Sequence, residues 1–203
     1  MPRNFMFTRE EIIEAALELT REKGMAALTA RALGERLGSS SKPVFGLFSG
    51  MEEVQREVIE AAGRRFRAHQ REAITSKRYP PYKASGMAYI AFAREERELF
   101  KLLFMRDRTG EPDGGDNREE LRPLLDIIRR GTGLSEDDAY SLHMEMWIYV
   151  HGIATMIATS YIDWDMEYAS RVLTDAYVGL RYRYCGEEKT DGSDQNDGAD
   201  KKI

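Results

Sequence analysis

Two helices of about two turns each, Ala30 to Leu37 and Lys42 to Phe48, flank Gly38-Ser39-Ser40-Ser41 and constrain this chain more than any other feature. Helices that short are marginal alone and must be held by neighbours. Upstream, Thr8-Arg9-Glu10-Glu11 reads as a capping box. It starts a helix over 9–23 in which Ile12, Ile13, Ala16, Leu17 and Thr20 recur at helical spacing before Gly24. Thr29 caps the first short helix, Gly38 ends it, and Pro43 suits the first turn of the second, where backbone N–H groups have no helical acceptor. Downstream, Ser49-Gly50-Met51-Glu52 reads as another capping box, opening a long helix that runs to about Ile74.

Tyr79-Pro80-Pro81 breaks that helix. Beyond it, the apolar spacing predicts a helix from Tyr82 to Met105, with a turn at Glu95-Glu96-Arg97-Glu98 able to divide it. Residues 106–118, with Gly110, Pro112, Gly114 and Gly115, read as a mobile loop. Helices are expected again over Glu119 to Arg130, Ser135 to Tyr161 and Asp165 to Tyr184. From Gly186 the composition is polar and Gly-rich, which predicts a disordered acidic tail. No segment reads as a strand, so the expected fold class is all-α.

Composition narrows the function. A single Cys185 excludes an intrachain disulfide and a cysteine-cluster zinc site, and with no signal-peptide pattern at the start it favours the cytoplasm. Trp147 to Ile162, the most apolar run, contains His151 and falls short of a membrane span, so no membrane partner is expected. Three histidines at 69, 143 and 151 have no recognised metal spacing, and no phosphate loop or nucleophile–base grouping is present. No metal site, catalytic residue or cofactor is therefore assigned, and the chain does not read as an enzyme. The net charge of -5 hides a polarity: residues 1–78 hold 14 Lys/Arg against 11 Asp/Glu, whereas residues 79–203 hold 16 against 24.

The short helix pair, with its supporting and following helices, is a helix-turn-helix pattern whose second helix can enter a DNA major groove. Ser40, Ser41 and Lys42 occupy its leading end. These residues resemble the tetracycline-repressor (TetR) family of bacterial transcriptional regulators. The resemblance covers Thr8 to about Glu60, through Leu28-Thr29-Ala30-Arg31-Ala32-Leu33-Gly34-Glu35-Arg36-Leu37-Gly38, Pro43-Val44-Phe45-Gly46-Leu47-Phe48 and Glu52-Glu53-Val54. It implies that Thr29 and Lys42 contact DNA and that Phe45 stands where the family commonly has a phosphate-binding tyrosine. Arg31, Ser40 and Ser41 complete the candidate DNA-binding set, with Arg3 as a further possible anchor. Two departures stand out: Phe45 lacks the phenolic hydroxyl, and Met51 replaces a lysine common at the start of the fourth helix. On packing grounds, Phe45 and Phe48 also read as core or backbone-packing residues, and Thr29 serves as a cap in either case.

Trp147-Ile148-Tyr149-Val150-His151-Gly152 resembles the Trp-x-x-x-His-Gly signature of one TetR subgroup's ligand-binding domain. This implies a helical body that binds a small-molecule effector and dimerises through its last two long helices. Met144, Trp147, Val150, His151, Ala154 and Ala158 share one helical stripe, which serves equally as core, pocket wall or dimer seam. His151 and Trp147 fit a core position at least as well as a ligand contact. Phe92, Phe100, Met105, Trp147 and His151 form the candidate ligand-binding set, while Met87, Phe92, Phe100, Phe104 and Met105 equally suit an ordinary core.

The resulting expectation has four parts: a helix-turn-helix domain at 1–50, a connecting helix at 51–78, a ligand-binding and dimerisation domain at 79–185, and a tail at 186–203. The implied function is a homodimeric regulator, a repressor released from a palindromic double-stranded DNA operator by a small molecule. The alternative is a helical protein-interaction module whose DNA binding is weakened or lost.

Overall fold

The computed structural model describes residues 6–107, 109 and 118–186. Most of the glycine-rich loop, the tail beyond Gly186 and the proposed Arg3 anchor lie outside the described residues. Within them, all regular structure is helical: α1 (Arg9–Lys23), a single 3-10 turn (Met25–Ala27), α2 (Ala30–Arg36), α3 (Lys42–Leu47), α4 (Met51–Thr75), α5 (Pro81–Glu95), α6 (Arg97–Phe104), α7 (Arg118–Thr132), α8 (Glu136–Ala158) and α9 (Met166–Cys185).

The helix starts follow local chemistry. Thr8 and Glu11 form the expected reciprocal box on α1, Thr29 accepts the Ala32 N–H at 3.1 Å, and Ser135 and Asp165 cap α8 and α9. The start of α4 differs from expectation, because its N-cap is Gly50 rather than Ser49. Ser49 instead donates its backbone N–H and hydroxyl to Glu53, at 2.7 and 2.8 Å. Glu53 also accepts from Arg9, and these donors, led by the Ser49 backbone N–H, pull its carboxyl down to about 2. A carboxylate already committed across to α1 explains why the box does not close on the neighbouring residue.

α1–α3 and the first turns of α4 enclose a small core in which Ile12, Ala16, Leu33, Val44, Val54 and Val58 are completely buried. The tight turn inside it depends on Gly34: a Cβ there would lie 2.9 Å from the backbone of both Ser40 and Ser41. Only a residue without a side chain lets the turn return this closely onto α2. Arg9 stacks on Phe48 and donates to the Leu47 carbonyl at 2.7 Å, fastening the end of α3 to α1.

α4 continues into a second layer formed by α5–α9, where α5 is the central helix, packed on α4 and α8 and also touching α6 and α9. Phe66 of α4 meets Tyr89, Phe92 and Phe104 edge-on, with ring centroids 5.1–5.6 Å apart.

The two layers meet at α6. Gly24, with φ +79°, ends α1 so close to α6 that a Cβ would lie 2.8 Å from the Glu98 carboxylate. Two residues before Glu98, Glu96 at the α5–α6 junction binds Arg21 of α1 and Arg65 of α4, the latter at 3.1 Å, and Arg65 also holds Glu18 at 2.9 Å. The Glu96 side chain is only 11% exposed, so this ionic cluster is better shielded than an ordinary surface pair.

Candidate functional site

Both candidate sites can be built from these elements. On the first, Thr29, Arg31, Ser40, Lys42 and Phe45 are exposed and Ser41 is half-buried at the N-cap of α3. The α2–turn–α3 geometry therefore gathers all six on one unit. Thr29 spends an acceptor lone pair on its cap but keeps its hydroxyl proton for a phosphate. Arg31 is 89% exposed and paired with Glu35 at 2.9 Å, an exposed contact readily exchanged for a phosphate. Arg36 is held bidentately by Glu22, both bonds 2.8 Å, which leaves Lys42 as the basic residue of α2 and α3 without a carboxylate partner among the described residues. Phe45 is half exposed, so the core reading of it is corrected; Phe48, at 3% exposure, is the core aromatic of α3. Met51 packs inward against the core and offers nothing to a phosphate.

The second site is a cavity of about 1200 Å³ bounded by α4, α5, α6, α7, α8 and α9. Its floor is aromatic and aliphatic, including Phe66, Tyr89, Phe104, Met146 and Trp147, with polar groups at intervals. This lining corrects the sequence-derived ligand set. Trp147 does border the cavity and is 40% exposed, so it is no core residue. Phe92 and Phe100 point instead into the solid core, at 1% and 0% exposure, and Met105 is turned outward at the end of α6. His151 sits behind the wall: it stacks on Trp147 with centroids 4.9 Å apart and a 17° interplanar angle, and its Nδ1 lies 2.9 Å from the Tyr89 hydroxyl.

A second tyrosine–histidine pair repeats this arrangement, with Tyr82 Oη 3.0 Å from His143 Nδ1. Burial raises both phenols above the ordinary tyrosine value, and desolvation lowers His143 to about 4 and His151 below its usual value. Neutral phenols donating to neutral imidazoles satisfy those directions together, and place the remaining imidazole proton on Nε2. Tyr82 and Tyr89 are seven residues apart and His143 and His151 eight apart, two turns on each helix. That matched spacing was the available sequence signal for the pairing.

The cavity wall carries Arg64, Arg67, Lys83 and Arg106 beside Glu60 and Glu120. Gln70 Nε2 donates to Ser85 Oγ at 2.8 Å and ties α4 to α5 on the wall. Periodicity could not have separated these residues from other solvated helix faces.

An exposed two-turn helix on a small fixed head, beside a hollow helical body, defines a helix-turn-helix regulator with a sensor domain. Residues 12–58 match the family model described as bacterial regulatory proteins, tetR family, and residues 82–177 match the tetracyclin repressor-like C-terminal domain. The chain belongs to the TetR family of transcriptional regulators. It is 24% identical over 181 residues to the uncharacterized HTH-type transcriptional regulator Rv0681 of Mycobacterium tuberculosis, covering 85% of this chain and 79% of that protein. Its fold resembles the TetR regulator SCO7222 of Streptomyces coelicolor, with a TM-score of 0.62, 17% identity, and coverage of 88% of this chain and 99% of the other. It also resembles a TetR variant from Acinetobacter baumannii AYE in complex with minocycline, with a TM-score of 0.58, 18% identity, and coverage of 88% and 98%. No helix among the described residues is long and apolar enough to cross a membrane.

Proposed function

We propose that this protein is a homodimeric repressor that leaves a palindromic operator when a small molecule fills the body cavity. The observation that carries the reading is continuity. Leu103 and Phe104 of α6 line the cavity, while Glu96 and Glu98 at the other end of α6 touch α1 and α4 of the head. An occupant that shifts α6 therefore has a direct physical route to the head, through an element whose position both sites can bias.

Thr29, Arg31, Ser40, Ser41, Lys42 and Phe45 are the proposed DNA contacts, with Lys42 supplying the unpaired charge. For dimerisation, α8 exposes Ile148 and Tyr149 and α9 exposes Val178 and Tyr182, at 50–64% of their surfaces. Gly152 and Gly179 on the same helices face open space, which allows close approach of a second copy. Two recognition helices held about 34 Å apart would read successive major grooves, so the operator is expected to be an inverted repeat.

Selection from random genomic fragments, followed by footprinting, tests the reading. Enrichment of an inverted repeat bound by a dimer supports it. No enrichment at low salt, with Lys42→Ala without effect, would favour a protein-interaction module, the reading to which the inward Met51 lends some support.

A further inference from the structure

The cavity wall is chemically lopsided. Among the described residues, neither Lys83 nor Arg67 has a carboxylate within ion-pair distance, whereas Arg64 stands 3.8 Å from Glu60. Lys83 is half-buried at the start of α5, and its partners are neutral: the Thr174 hydroxyl at 2.8 Å and the Tyr79 ring at 5.0 Å. A partly desolvated ammonium held by a hydroxyl and a π face is electrostatically incomplete, and an anion in the cavity would complete it. Arg67 lies back along α4 over Gly63, where a Cβ would meet its guanidinium at 3.3 Å. The missing side chain at 63 gives the guanidinium room at the cavity edge.

Around these cations the wall is neutral and apolar. Tyr82, Tyr89 and His143 are uncharged by burial and mutual hydrogen bonding, and Phe66, Phe104 and Leu124 supply hydrocarbon surface. Two carboxylates do border the cavity: Glu60 is 70% exposed and faces Arg64, and Glu120 lies across on α7, exposed. Neither reaches Lys83.

We propose that the cavity takes an amphipathic monoanion, a carboxylate on an extended apolar body, with Lys83 and Arg67 on the carboxylate and the aromatic floor under the apolar part. This rests on the cavity being the effector site and specifies the class of effector it selects. A half-buried cation without a carboxylate among the described residues also discriminates against an uncharged isostere, which leaves it uncompensated, and against an amine, which repels it.

The test uses the full chain carrying Trp164→Phe, so that Trp147 on the cavity wall is the remaining tryptophan. Decanoate, decanol and decylamine are titrated separately below their aggregation limits and followed by Trp147 fluorescence. Decanoate is expected to bind at least about tenfold more tightly than decanol, with decylamine weakest, and Lys83→Met should bring decanoate to the level of decanol while leaving decanol unchanged. Arg67→Leu, at an exposed position, provides a second variant if Lys83→Met fails to fold, and should weaken decanoate selectively. Equal binding of decanoate and decanol, or preference for decylamine, overturns the anion assignment while leaving the cavity a ligand site. No response to any of the three overturns both.

Discussion

The head and the body solve opposite packing problems with the same helices. In the head, Leu33, Val44 and Val54 are sealed and Gly34 removes the last space between α2 and the turn, so the reading surface is fixed relative to α1. In the body, the helices leave a void of about 1200 Å³, bordered by Tyr82, His143 and Tyr89 rather than filled. A close-packed unit transmits displacement, whereas a hollow one can change shape around an occupant. The partly shielded ionic cluster at Glu96 joins the two.

The contrast is broken most severely at Gly34. Gly34→Val should push the Ser40–Ser41 backbone off α2, and operator affinity measured by fluorescence anisotropy should fall at least about a hundredfold, near 3 kcal/mol. Cavity ligands should bind that variant normally; unchanged operator affinity would show that the turn does not set the reading surface.

The packing difference itself predicts unequal truncation costs. Leu33→Ala in the filled head should lower unfolding free energy by about 3 kcal/mol, and Leu103→Ala on the cavity wall by only about 1 kcal/mol, because the latter enlarges a space that already exists. Urea denaturation compares them, and equal costs would mean that the body is as tightly packed as the head.

Acid should act on the body first. His143 titrates near 4 when folded and near 6.5 in its unperturbed state, so the unfolded chain binds more protons between those values. Its contribution to stability is complete above pH 6.5 and is lost as pH falls toward 4, by about 3 kcal/mol. His143→Gln should remove that part of the pH dependence; an identical profile in the variant would dismiss the neutral tyrosine–histidine pair as its source.

The smallest expected effect is the most informative about coupling. Glu96→Gln should leave the affinities for operator and cavity ligand each within about twofold, yet reduce their mutual effect by about 1 kcal/mol. A double titration measures this, and undiminished coupling would place the route elsewhere than the Glu96 cluster.

What could be read from the sequence follows the same division. Head elements carry their own local signals, such as the Thr8 and Thr29 caps and the Gly34 and Gly38 punctuation, and the split near Glu95–Arg97 was also written locally. Only the start of α4 was displaced, because Glu53 is recruited by Arg9 from 44 residues away. The cavity was less legible. Phe92 and Phe100 match Phe66 and Phe104 in chemistry and helical spacing, and only tertiary packing assigns the first pair to core and the second to wall. His151 stacks on Trp147 one turn away along α8, but its bond to Tyr89 comes from another helix and could not be read locally. Lys83 and Arg67 gave no signal at all, since an exposed cation and a wall cation look alike until the void between helices is known.

The claim that the hollow body governs the fixed head is tested most directly by measuring operator affinity with and without a cavity occupant. The ligand used should be the carboxylate that gives the largest Trp147 response, added at saturation, with the operator taken from genomic selection. A rise in operator Kd of at least about tenfold, with Trp147 reporting full occupancy, is the predicted result. An unchanged operator Kd at full occupancy would contradict it.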